Sequence, residues 1–394
     1  MVDRFRLQVL SALASSGSFS AAARELGISQ PAVSQNIAEL EKYAGGKLFL
    51  RSRGGVSLTR KGSELLRRAQ AVLDAYDEMD AACKAPSTIL LRDVTLGPQR
   101  CNVLIDRGLI ADLELQGDAR ADKLIDAAGL EMQPSYFDAF CPGTEALPLC
   151  LRDGCGFVSF ASLNLEEDIV RIEDFGIRAA VAVSADSREL LRNWESPDPE
   201  MLSLIVDIPD GCAPDCLQKI FALARKRSFR LRMRAAEGVV GLLDSLHLLG
   251  PDVLLYGCSA LEGEEWKRAG RRGVGVIHCP TSDYRGSGRR FPYELALASG
   301  CRMLLGTGDS HHSIAEEIRT AVLLSSVGGK TLESETVRRW ATVNAAEAFG
   351  VDAASFARGR CADLLLAEAG AEIPDSSNIR CLICAGRVLR QPER

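Results

Sequence analysis

Histidine is scarce in this chain. Its 394 residues hold four, at positions 247, 278, 311 and 312, so a metal centre that needs several imidazoles has little to draw on. Long apolar runs are missing too: no stretch reaches the roughly eighteen residues of a membrane span, and the N-terminus carries no apolar leader. A cytoplasmic protein with no membrane contact is expected. Low-complexity tracts and periods of repeat length are absent. The thirteen cysteines are odd in number and scattered from Cys83 to Cys384 among apolar neighbours, which reads as reduced, buried thiols. Cys381-Leu382-Ile383-Cys384 has redox or zinc spacing, yet strand alternation turns its sulfurs to different faces and no second pair matches it.

What the chain does have is enough apolar mass for a large core, at 46% hydrophobic residues, and length for two or three domains. Its charge is unevenly spread. Residues 1–68 carry eleven Lys or Arg against five Asp or Glu, a net of +6, whereas the whole chain is −6, which leaves −12 for residues 69–394. A basic head on an acidic body suits phosphate binding by counterion release.

That head contains Ser18-Phe19-Ser20-Ala21-Ala22-Ala23, then Leu26-Gly27-Ile28-Ser29-Gln30-Pro31-Ala32-Val33-Ser34-Gln35, and closes with Leu58-Thr59-Arg60-Lys61-Gly62. The pattern predicts a short Ala-rich helix ending at Gly27 and a second helix capped by Ser29, with Ile28 and Val33 as a hydrophobic staple and Pro31 in the first turn. Val33, Ile37 and Leu40 face inward. Gln30, Ser34, Gln35 and Asn36 face outward, with side chains able to meet base edges in a major groove. Followed by the Leu48-Phe49-Leu50-Arg51 strand and a Gly54-Gly55 hairpin tip, the segment resembles the winged helix-turn-helix of LysR-type transcriptional regulators, over about 1–84. The reading assigns double-stranded DNA as partner, with Ser18, Ser20, Gln30, Pro31, Ser34, Gln35, Arg51, Arg53, Thr59 and Lys61 as DNA-binding residues and Arg60 among the phosphate contacts.

From Gly62 the period becomes a heptad, with Leu65, Ala69, Val72, Tyr76, Met79 and Cys83 at alternating spacings of four and three. This is the pattern of a dimer seam. In the resembling family a linker helix here pairs two chains, which implies a homodimer or homotetramer. The expected organisation is a DNA-binding domain at 1–60, a linker helix at 61–84 and a hinge at Ala85-Pro86-Ser87.

After the hinge, short apolar runs such as Phe157-Val158-Ser159-Phe160, Ala179-Ala180-Val181-Ala182-Val183 and Val274-Gly275-Val276-Ile277 alternate with amphipathic helical stretches, as in a parallel sheet or barrel. Ile125-Asp126-Ala127-Ala128-Gly129, Arg234-Ala235-Ala236-Glu237-Gly238, His278-Cys279-Pro280-Thr281-Ser282, Leu305-Gly306-Thr307 and Gly359-Arg360-Cys361-Ala362-Asp363 are similar, in order, to segments of the amidohydrolase superfamily, nearest its heterocycle deaminases and chlorohydrolases. The resemblance spans about 90–394. It implies an α/β TIM-like (β/α)8 barrel at 134–354 and a small β-sandwich from 88–133 plus 355–394; the stretch 138–234 is short for such a barrel and leaves room for a missing helix or strand.

The resemblance also implies zinc or iron held by a His-x-His after the first strand, a His on each of the fifth and sixth, and an Asp on the eighth. Here those positions hold Phe140 and Pro142, Arg234, Gly257 and Gly308, with Asp309 one place late. None of the first four can ligate a metal, and no cofactor is expected. A substitute set of His278, His311, His312 and Asp309 is the residual route to metal. What survives is a recognition shell: Phe140, Arg234, Glu237, His278, Asp309 and His311 as an effector pocket, with Arg234 paired to Glu237 or Asp309, or gripping an anionic ligand.

Three readings compete: a transcription regulator whose inactive barrel senses a small molecule, such as a nitrogen heterocycle or amide; a bifunctional regulator with residual amidohydrolase or deaminase activity; and a DNA-binding protein whose barrel only oligomerises or docks a partner. The missing ligands favour the first, in which the barrel is not an enzyme. An open pocket at the C-terminal strand ends separates the first from the third.

Overall fold

The computed structural model describes residues 4–390 except 53–54, 84–87, 116, 118, 311, 328, 330 and 354, and the side chains of those residues except 51, 52, 55, 74, 76–83, 114 and 115. The chain forms two compact units, residues 1–86 and 87–394. The proposed hinge residues Ala85 and Pro86 with Ser87 lie outside the described residues.

The first unit holds helices α1 (Arg4–Ser16), α2 (Phe19–Glu25) and α3 (Gln30–Ala44), a hairpin of β1 (Phe49–Ser52) and β2 (Gly55–Leu58), and α4 (Arg60–Cys83). Ser18 caps α2 by accepting from Ala21 N at 3.4 Å, and Ser29 caps α3 by accepting from Ala32 N at 3.3 Å. Each hydroxyl satisfies a backbone donor that the first turn leaves open. At the far end of α3 the chain turns at Gly45 with φ 64°, a left-handed conformation that a Cβ penalises. Val33, Ile37 and Leu40 are buried against Leu10, Leu13 and Leu48, as the periodicity requires. Each such side chain contributes about 2 kcal/mol of burial.

The seam expectation needs correction at its start. Helix α4 packs along α1, and Ala69 and Leu73 are buried in that core, with Leu65 half-buried beside them. Leu65 and Ala69 are therefore used within their own domain, because this half of α4 has α1 to bury itself against. Val72 points away and is 45% exposed. The side chains of Tyr76, Met79 and Cys83 lie outside the described residues.

The second unit opens with β3 (Thr88–Leu96), β4 (Gln99–Asp106), β5 (Leu109–Leu115), β6 (Lys123–Asp126) and β7 (Leu130–Pro134). Eight parallel strands follow: β8 (Tyr136–Asp138), β9 (Cys155–Ala161), β10 (Arg178–Ser184), β11 (Leu202–Ile208), β12 (Arg230–Arg234), β13 (Val253–Tyr256), β14 (Gly275–His278) and β15 (Arg302–Leu305). Each pairs with the next. The first and last meet through a backbone bond from Ala139 N to Leu305 O at 2.9 Å, so the barrel is nearly closed. No strand is missing from 138–234; the stretch is short because its helices are, α5 (Leu147–Arg152) and α7 (Arg188–Asn193) having six residues each beside α6 (Leu165–Phe175) and α8 (Pro214–Lys226).

Strand alternation sorts the barrel residues. Phe137, Phe157, Ala180, Ala182, Ile205, Leu254, Ile277 and Leu304 fill the interior, while Val181, Val183, Leu204 and Leu255 face the surrounding helices. The chain ends in β16 (Leu364–Glu368), β17 (Ile379–Cys384) and β18 (Arg387–Arg390). The segments expected to build a sandwich share one hydrogen-bonded sheet, ordered β18-β17-β16-β7-β3-β4-β5 with β6 on β3. A buried ion pair between Arg178 and Asp363, 3.0 Å, ties barrel to sheet. Cys381 joins the core of this sheet, and Cys384 Sγ lies 3.3 Å from Gly156 O, so the two sulfurs diverge. No described helix is long and apolar enough to cross a membrane.

Candidate DNA face and candidate ligand pocket

On α3, Gln30, Pro31 and Gln35 are exposed and Ser34 is half-exposed, all on one side of the helix. Asn36 is committed elsewhere, its amide donating to Ala32 O at 2.9 Å. Ser20 is exposed on α2, and Ser18 is used as the cap.

Two residues read as DNA contacts prove to be bound internally. Thr59 donates its hydroxyl hydrogen to Lys47 O at 2.9 Å and accepts from Gly62 N at 2.9 Å, closing the first turn of α4. Lys61 Nζ donates to Gly45 O at 3.1 Å, at the carbonyl end of α3, where a cation is favoured by the helix dipole. Both answer backbone groups that helix ends leave unpaired. The side chain of Arg51 and all of Arg53 lie outside the described residues.

In the second unit, the C-terminal strand ends open into a cavity of about 620 Å³. Phe140 reaches it from the loop after β8, Arg234 from the end of β12 and Glu237 from the loop that follows, Tyr256 from β13, Ser282 from the helix 280–287 after β14, and Asp309 from the loop after β15. Phe140 stacks on Tyr256 with ring centroids 5.1 Å apart. Against Phe140 lies a third group, the guanidinium of Arg232, 4.4 Å from its ring centroid. Arg232 is 1% exposed and forms a two-pronged pair with Asp207, at 3.1 and 3.2 Å, while its Nη1 has no hydrogen-bond partner. Sequence reasoning passed over Arg232. The alternation Arg230-x-Arg232-x-Arg234 in an otherwise apolar strand was its signal, since it sends all three side chains to one face.

Arg234 pairs with neither Glu237 nor Asp309. Its Nε lies 3.0 Å from Asp210 Oδ2, and both side chains are more than half exposed. Asp210 follows β11, the strand paired with β12, which brings it beside Arg234. Glu237 remains an exposed carboxylate of the lining. Asp309 hydrogen-bonds Ser282 through both its carboxylate and its backbone N–H. Position 308 cannot restore the missing aspartate locally, because Gly308 has φ 63° and a Cβ there would stand 2.7 Å from Ser282 Cβ.

His278 is not a pocket group. It is 1% exposed, stacked on Phe291 at 3.9 Å, with Nδ1 2.7 Å from Asp283 and Nε2 3.0 Å from the Tyr293 hydroxyl. Both ring nitrogens are occupied because the segment around Phe291 and Tyr293 packs over it. His312 Nδ1 lies 3.2 Å from the buried Glu317 and 3.3 Å from Thr281 Oγ1, and His311 lies outside the described residues. His278 and His312 are thus engaged with other groups, and among the described residues no group of three or more His, Cys, Asp or Glu is placed to hold a metal ion. Phe140, Pro142 and Gly257 supply no donor and Arg234 supplies a cation, so these residues do not fit the divalent ion that the resemblance implies.

Beneath the mouth, Asp138 is fully buried and accepts from Thr307 N at 3.0 Å and Phe140 N at 3.1 Å, with Thr307 Oγ1 at 2.6 Å. Burial, then the nearby Cys150, pushes its carboxyl up to about 7.

Comparison with known proteins agrees with both halves of this description. Residues 5–63 match the model for bacterial regulatory helix-turn-helix proteins of the lysR family, and residues 211–389 match the amidohydrolase family. The chain is 23% identical over 292 residues to a 5'-deoxyadenosine deaminase of Methanosarcina mazei, covering 61% of this chain and 68% of that protein. It is 45% identical over 74 residues to a probable HTH-type transcriptional regulator of Synechococcus elongatus, covering 19% of this chain and 25% of that one. Among solved structures, an adenosine deaminase from Xanthomonas campestris with bound zinc superposes on 77% of this chain and 92% of its own with a TM-score of 0.67 at 18% identity, which establishes a shared fold.

Proposed function

We propose that this chain, which joins a LysR-type helix-turn-helix domain to an amidohydrolase domain, is a DNA-binding transcription regulator whose barrel binds a small molecule without turning it over. One observation carries the reading. The mouth of the barrel is open, at about 620 Å³, while the positions that hold a metal in the resembling enzymes bear Phe140, Pro142, Arg234 and Gly257. A barrel that served only for docking has no use for such a cavity.

The lining favours a ligand with a flat face and N–H groups. Phe140 and Tyr256 offer a wall for stacking, and Glu237 and Asp309 offer acceptors. A nitrogen heterocycle meets that description, in keeping with the deaminases to which the chain is similar. The ligand acts on transcription by binding one arrangement of a DNA-bound homodimer better than another, since only differential affinity shifts an equilibrium.

The test is elemental mass spectrometry of tag-free protein purified without chelator. Metal content far below one per chain is the expected result. About one zinc or iron per chain overturns the proposal in favour of a bifunctional enzyme.

A further inference from the structure

Cys212 and Cys216 stand apart from the other cysteines. Cys212 lies in the loop after β11, Cys216 lies in the first turn of α8, and the two thiols are near enough to act on one another. Both are half-exposed, whereas Cys141, Cys150, Cys155, Cys258, Cys279, Cys381 and Cys384 are buried. The exposed Arg188 donates from Nη2 to Cys216 Sγ at 3.6 Å. Cys216 is thus the sulfur held beside a guanidinium at the start of α8. At Cys212, burial, then the interaction with Cys216, raises the thiol to about 11.

We infer that Cys212 and Cys216 form a reversible disulfide, with Cys216 as the sulfur oxidised first by a hydroperoxide and Cys212 as the one that resolves it. The Cys216 thiolate attacks the terminal peroxide oxygen, the O–O bond breaks, and the departing alkoxide takes up a proton, leaving a sulfenic acid. The Cys212 sulfur then attacks the Cys216 sulfur. The S–O bond breaks, the hydroxyl leaves as water with the Cys212 proton, and the S–S bond closes. The dithiol is oxidised by two electrons and the hydroperoxide is reduced to an alcohol and water. A small-molecule dithiol reverses the change.

The position of this pair gives it a consequence. Cys212 is two residues from Asp210, whose carboxylate holds Arg234 at the pocket wall. Fixing Cys212 to α8 therefore moves or stiffens the loop 209–213 and alters the Asp210–Arg234 pair. That step, unlike the disulfide itself, rests on reading the mouth of the barrel as the effector site.

The experiment treats the full-length chain with a slight excess of hydrogen peroxide, alkylates free thiols and maps tryptic peptides by mass. Residues 193–219 form one tryptic peptide that contains Cys212 and Cys216 and no other cysteine. That peptide is expected to escape alkylation, lighter by two hydrogens, before the half-exposed Cys101, Cys301 and Cys361 react, and to recover with dithiothreitol. In C212S, dimedone should trap a sulfenic acid at Cys216; in C216S, none should form at Cys212. Alkylation of both thiols in the wild type after the other half-exposed cysteines have oxidised overturns the disulfide. Hydrogen exchange over 233–238 reads the coupling: a change on oxidation supports it, and no change in protein shown to be disulfide-bonded overturns the link to the pocket while the disulfide stands.

Discussion

Asp138 makes the fold pH-sensitive through a single side chain. Its carboxyl is raised from an ordinary 3.8 to about 7 because it is buried beneath the pocket, so the folded state holds its proton more tightly than the unfolded state does. Stability from this group is complete below the unfolded value and is lost as pH rises towards the folded one, a span worth roughly 4 kcal/mol. In thermal denaturation between pH 5 and 8, wild-type Tm should fall relative to D138N, which has no proton to lose; parallel curves sink this account. At the pocket, E237Q should abolish the effect of an effector on DNA binding, found by screening heterocycles in a thermal-shift assay, while leaving DNA affinity without effector unchanged. An unaltered response would place the effector elsewhere. Glu237 and Phe140 were legible in the sequence because they sit inside recognisable segments. Asp210 and Arg232 were not, since their roles arise from which strands lie side by side, and Asp210 belongs to a loop with no motif of its own.

Among the elements, α3 and α4 separate what sequence can say from what it cannot. The cap and the inward stripe of α3 are local, so they could be read directly from residue types. The seam on α4 could not, because a heptad reports a buried stripe and does not say what covers it. The structure assigns Ala69 and Leu73 to the domain core and leaves Val72 outside. If the outer face of α4 pairs two chains, V72E should shift sedimentation from dimer towards monomer with helical circular dichroism retained. A69E should instead lower the stability of the first unit, by overpacking and by burying a charge. Equal dimerisation in V72E and wild type removes α4 from the interface. On α3, S34A/Q35A should enrich no sequence from a random DNA library that wild type enriches, while binding to bulk DNA persists, because phosphate contacts carry no sequence information. Loss on all sequences alike would argue against base readout by this face.

For the whole molecule, charge is the feature that sequence alone resolves. A net charge of +6 over residues 1–68 against −12 over the rest gives the first segment the attraction for DNA, and binding should weaken steeply with salt. R60Q, at an exposed site at the start of α4, should lower the salt slope by about one and reduce affinity equally on all sequences. The barrel was likewise legible, as apolar runs alternating with helical stretches and through the resemblance, although the shortness of 138–234 suggested a gap that six-residue helices explain. Arg232 has a consequence on a longer scale, that of descent. With a guanidinium fixed under Phe140 by Asp207, a histidine regained at position 140 would bring any divalent ion next to a standing positive charge, and Gly308 offers no relaxed place for an aspartate. On the proposed reading, in which the barrel binds without turnover, a lineage of such chains has no useful single step towards hydrolysis, since each substitution is opposed by what the other positions hold, and selection refines the pocket for binding more readily than for chemistry.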